Sequence, residues 1–269
     1  MQFDWNEWLH IITRWVHVFA GILWIGTTYF FTWLDGRFHE MEDAAKGDSD
    51  ESKVWMVHSG GFYVVGKQSK PSLLTAKLHW FKWEAAITWL SGMVLLVLVY
   101  YTGGLLVDAA YGETTSMLIG LGSLILAWFV YDFLWNSPLG SNERIAVVIS
   151  FALSVGTIYA FSKLYGGRTA FIQAGAMFGT LMTANVWLCI LPGQRKMVAS
   201  LQKGEKPDLT LGARAKTRSK HNTFMIVPVV FIMISNHYPV GTYAAEYNWI
   251  VLSVVVLIGW IAARYLRRA

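Results

Sequence analysis

The sequence predicts an all-α, polytopic membrane bundle of about seven helices, and three observations carry that expectation. Apolar side chains make up 55% of the 269 residues and charged ones only 14%, a balance outside the range of ordinary soluble domains. Apolar runs recur at roughly 8–34, 80–102, 116–135, 145–162, 170–192, 221–237 and 247–265. Each is long enough to cross about 30 Å of hydrocarbon. The basic residues gather in alternate intervening segments. The net charge of +5 and the 14 tryptophans therefore read as membrane topology and interfacial belt, not as a nucleic-acid surface.

Those charges orient the bundle. The 36–79 loop carries six basic residues, the 193–220 segment eight, and the tail Arg264, Arg267 and Arg268, whereas the alternate loops hold only Lys163 and Arg168. The positive-inside rule places the N-terminus outside and the C-terminus in the cytoplasm, which fits the inner (cytoplasmic) membrane of a cell. The whole chain, 1–269, reads as one membrane domain with a cytoplasmic loop. No cleavable signal is evident, because the first apolar run starts at Trp8 without a basic stretch before it. Cys189 is the single cysteine, and CxxCH is absent, so neither an internal disulfide nor a covalently attached c-type haem is expected within this chain.

In the first span His10, Arg14, His17, Gly21, Trp24 and Thr28 follow at spacings of four, three, four, three and four, which sets a polar stripe along one helix face. Arg14 either snorkels to the outer headgroups or binds an anion or a haem propionate. In the following loop, the acidic segment Glu40 to Lys53 is expected to be a mobile excursion, and VWMVHSGGFYVV a hairpin turning at Ser59-Gly60-Gly61. The second span opens with HWFKWEAAITWLSG. Glu84, Thr88 and Ser91 share a face there, and His79 and Lys82 stand at its entrance. A carboxylate inside a span is costly and marks a functional candidate.

The third span ends at Asp132, which is expected either to meet water at the helix end or to pair with Lys82 or a loop arginine. Gln173, Thr180 and Asn185 on the fifth span serve either helix packing or a ligand. The basic GARAKTRSKHNT leading into the sixth span suits lipid phosphates, and Pro228 within it invites a kink. Sixteen residues separate His221 from His237. That is about 24 Å of helix rise, so one lies near each membrane surface. His79 and His221 then fall on the inner side and His10, His17 and His237 toward the outer, an arrangement open to b-type haem ligation by His17, His79, His221 and His237.

The segments WLHIITRWVHVFAGILWIGTTYFFTWLD, VHSGGFY, HWFKWEAAITWLSG, RSKHNT and MISNHYP together resemble the N-terminal membrane region of the bacterial cytochrome-c-linked urate oxidases. The resemblance covers nearly the whole chain. It implies oxidation of urate to 5-hydroxyisourate, with electrons passed to a c-type cytochrome. In that family a further span and a periplasmic cytochrome c domain typically follow, and this sequence stops before both, so the acceptor is expected to be a separate cytochrome or part of a longer chain. Urate is a planar anion rimmed by donors and acceptors. Arg14, Gln173, Asn185, Asn222 and Asn236 are candidates to bind it, and Glu84, His17 or Lys82 to serve as base. Two other functions fit the same features: a non-catalytic b-haem electron-transfer subunit, and a transporter of a small organic anion.

Overall fold

The computed structural model describes residues 4–44, 52–68, 78–106 and 109–267. Helix α1 (Trp5–Ala44) has 40 residues, about 60 Å of rise. It is much longer than the bilayer is thick, so one end projects as a stalk. Strands β1 (Ser52–His58) and β2 (Gly61–Lys67) form an antiparallel hairpin against that stalk, where Val54, Met56 and Val65 pack on Leu34 and Phe38. The hairpin follows the sequence expectation. Ser59 and Gly60 both have positive φ (50° and 76°), the backbone that a two-residue turn matching the strand twist requires.

Helix α2 (Trp83–Leu95) continues through a π-helical turn, Leu96–Tyr101, and α3 (Glu113–Asn136) and α4 (Glu143–Leu164) follow. Helix α5 (Gly167–Ala184) passes through a second π turn, Asn185–Ile190, into α6 (Leu191–Gln202) without a break. Helices α7 (Leu209–Ser235) and α8 (Asn248–Leu266) complete the bundle. Among the described residues, six helices are long and apolar enough to cross a membrane, α5 and α6 acting as one. The apolar half of α7 supplies the seventh crossing: Met225, Ile226 and Ile232 are buried in the same core as Phe171, Phe178, Leu252 and Val256.

Two expectations change. The basic stretch 193–220 is not a loop, because α6 runs to Gln202 and α7 begins at Leu209. Charge ends an apolar run but not a helix. Glutamine, lysine, arginine and methionine are good helix formers, and the backbone keeps its own hydrogen bonds beyond the hydrocarbon. The turn between the two helices uses Gly204 at φ 73°, and Asp208 caps α7 by accepting from the N–H and hydroxyl of Thr210. Those two bonds hold the Asp208 carboxyl below its ordinary range. The acidic segment expected to be mobile is, for its first five residues, the end of α1, and its last two open β1; residues 45–51 lie outside the described ones, as do Lys46, Lys70 and Lys77.

Helix α5 is central, with α1 at the rim. Gln173 on α5 is fully buried and spends its amide on packing: Tyr101 donates to its Oε1 at 2.7 Å, and its Nε2 donates to the Gly120 carbonyl at 2.8 Å. Helix α1 meets α2 along its polar stripe. Gly21 faces Thr88, and the His17 ring lies so close to Gly92 that a Cβ there would stand 2.9 Å from it.

Candidate functional site

At the hairpin end of the bundle, helices α1, α6, α7 and the segment before α2 enclose a cavity of about 560 Å³. The α1 stripe reaches it. Trp24 and Thr28 are joined by Thr32 and Asp35, which continue the spacings of four and three, and Thr27 and Phe31 lie beside them. The approach to α2 adds His79, Trp80 and Phe81, with the rings of His79 and Phe81 in edge contact at 4.5 Å. From α6 comes Gln194, from α7 Lys216, Ser219, Lys220 and Asn222, and from the end of α8 Arg267. Asp35 and Arg267 put opposite charges into the same lining. Four aromatic side chains, several amide and hydroxyl groups and a cluster of cations thus line one chamber. Its volume suits a small ligand.

Behind this chamber runs a chain of hydrogen bonds between polar groups from three helices. The Asn185 amide donates to Asn222 Oδ1 at 2.9 Å and to the Tyr131 hydroxyl at 3.0 Å, and Tyr131 meets His221 Nδ1 at 2.6 Å. Asn222 donates in turn to the Met182 carbonyl at 3.0 Å. Asn185 opens the second π turn, a backbone irregularity that is frequent at functional sites. Its Oδ1 is buried without a partner.

A second, smaller cavity of about 320 Å³ lies on the other side of α7, lined by Trp135, Asn136, Glu143, Arg214, Arg218, Lys220 and His221 among others. Asp132 at its edge pairs with Arg218 at 2.6 Å and with Arg214 at 3.7 Å. Its partners are therefore arginines on a helix, not Lys82, which instead lies over the Trp83 ring.

The candidates named from the sequence divide among four places. His79 and Asn222 line the larger cavity, with Asn185 directly behind Asn222. His221 lines the smaller one. Glu84 stands on the α2 face that meets α1, and the His17–Gly92 and Gly21–Thr88 pairings place it by register level with Ile25, next to the chamber wall. Its Oε2 is buried with no partner. The remainder lie elsewhere. His17 binds the Thr88 carbonyl at 2.9 Å in the α1–α2 seam, Arg14 and His237 are exposed, and Asn236 accepts from Tyr100 at 3.1 Å and Arg168 at 2.9 Å. Gln173 is enclosed in the core.

Neither cavity is lined by two of the histidines expected to ligate haem, and the described residues hold no cluster of three or more His, Cys, Asp or Glu. Sequence reasoning missed Asp35, Thr32, Gln194, Lys216 and Arg267. The first two were within reach by extending the α1 stripe two steps; the others come from the stretch taken as loop and from the tail.

Comparison with curated proteins and with solved structures found no match. Comparison with protein-family models matched residues 4–269, nearly the full length, to the family described as urate oxidase N-terminal. The chain belongs to the urate oxidase N-terminal family.

Proposed function

We propose that this membrane protein oxidises urate to 5-hydroxyisourate in the larger cavity and delivers the electrons to a c-type cytochrome. Family membership supports urate-oxidase-like oxidoreductase activity in general. The observation that carries the finer reading is the chamber lining, where Trp24, Phe31, Trp80 and Phe81 bring aromatic side chains while Gln194, Lys216 and Arg267 bring donors suited to an anion and Asn222 a buried amide. A planar purine anion needs both. The half-reaction is urate plus water giving 5-hydroxyisourate, two protons and two electrons, the electrons reducing two ferric cytochrome haems. Asp35 is the proton acceptor within the lining, His79 passes the proton toward the cytoplasmic opening, and Glu84, with its unpartnered oxygen by the wall, is the second acceptor.

In the test, purified chain, urate and ferric cytochrome c are mixed anaerobically, and cytochrome reduction is followed together with loss of urate. The expected result is coupled reduction, lowered more than tenfold by Asp35→Asn and by His79→Ala, with Asn222→Ala raising KM. Undiminished turnover in all three variants removes the chamber from the reaction. Uptake of unchanged urate into proteoliposomes, with no cytochrome reduced, overturns the oxidase reading in favour of transport. A site near the inner face leaves most of a roughly 30 Å core between urate and an outer acceptor. The Soret region of the same sample reports whether a haem is present to bridge it.

A further inference from the structure

We infer that the smaller cavity is a binding site for a phosphate group, adjoining the urate chamber at Lys220, which lines both. Its wall is formed by the end of α3 (Trp135, Asn136), the short turn after it (Gly140, Ser141), Glu143 at the start of α4, and Arg214, Thr217, Arg218, Lys220 and His221 on α7. Arg218 is the central observation. It is 2% exposed, and its Nη2 donates to Asp132 Oδ1 at 2.6 Å and to Asn136 Oδ1 at 3.4 Å, while Nη1 is shielded from solvent on the side of Tyr131. The guanidinium lies 4.7 Å from the centre of the Tyr131 ring and 6.0 Å from that of Trp128, so its plane is fixed. A guanidinium fixed in plane holds its positive charge at the cavity wall, where it attracts an oxyanion.

The charges around it favour an anion. Arg214, Arg218 and Lys220 face two carboxylates: Asp132, shared by both arginines, and Glu143, paired with Lys220. One positive charge is left over. A planar purine is disfavoured here because Trp135 packs against His221, the ring centres 4.0 Å apart at a tilt of 50°, which narrows the space beside it. What remains is a polar chamber of about 320 Å³ with convergent donors and no open aromatic slot, which suits a compact tetrahedral oxyanion. The cavity also sits where the basic half of α7 gives way to its apolar half. The cytoplasmic leaflet is rich in anionic phospholipid, so a lipid phosphate and free phosphate are the two sources.

The test uses the full chain in detergent, delipidated and then offered either phosphatidylglycerol, phosphatidylcholine or inorganic phosphate. Retained lipid is counted by native mass spectrometry, and phosphate binding is followed by thermal shift. Wild type is expected to retain phosphatidylglycerol, with at least a tenfold loss in Arg218→Lys, which keeps the charge but not the fork, and a smaller loss in Arg214→Ala. If Arg218→Lys fails to fold, Arg214→Ala alone decides, because Arg214 is half exposed and its removal leaves the buried pair intact. A thermal shift with inorganic phosphate that displaces the lipid assigns the site to free phosphate, and retention of phosphatidylglycerol without such a shift assigns it to lipid. Binding of neither probe, or binding indifferent to both arginines, overturns the inference whatever the outcome with urate.

Discussion

Asp132 shows how far a single residue could be read. The sequence left it between a solvated helix end and an ion pair, and the structure sets it against Arg218, whose side chain is 2% exposed while that of Asp132 is 30% exposed. Removing the carboxylate strands a buried guanidinium. Asp132→Ala should therefore cost on the order of 3 kcal/mol, the low end for breaking a buried pair, since Asp132 is partly solvated. Thermal unfolding in detergent checks it, and the double variant Asp132→Leu with Arg218→Met should recover most of the loss. An equal loss in the double variant would place the stability in packing instead. The same limit governed Gln173 and Asn185. Both are fully buried amides on one helix, yet the bonds of one are complete and the other keeps an idle oxygen next to the chamber. Nothing in local sequence separates those two cases.

At the scale of elements, the hairpin and the helix ends contrast. The hairpin was legible because a turn is a local device. Ser59 and Gly60 supply positive φ, and strand pairing from Ser52↔Lys67 to His58↔Gly61 follows without a bulge. Gly60→Val puts a β-branched residue at φ 76°, a strain of about 1–3 kcal/mol. Limited proteolysis should then open the chain within 52–67 while the bundle stays resistant; unchanged protection there would mean that packing on Leu34 and Phe38 alone holds the hairpin. Helix ends were less legible. Hydropathy marks where a helix leaves the hydrocarbon, and α1, α6 and α7 all continue past that point. Their extensions carry much of what lines the two cavities: Asp35, Gln194, Arg214, Lys216 and Arg218.

At the scale of the whole molecule, seven crossings set the termini on opposite sides, and the charge distribution predicts an outside N-terminus. In a Cys189→Ser background, a cysteine placed at Lys203 in the α6–α7 turn should resist a membrane-impermeant maleimide on intact cells, and one placed at Glu246 before α8 should react. The reverse pattern would invert the orientation and move both cavities to the outer side.

The amino-acid sequence by itself determined the number of crossings, the hairpin and the side on which positive charge collects, because each is a property of neighbouring residues: apolar length, turn chemistry, charge near a span. Only the tertiary structure decided which polar residues meet. The larger cavity draws Trp24, His79, Gln194, Asn222 and Arg267 from segments scattered over most of the chain. Helical periodicity tells which face a side chain is on, but not which other helix that face will touch. The same packing set Gln173 in the core, gave Arg218 its carboxylate, and put His79 and His221 in the linings of different cavities.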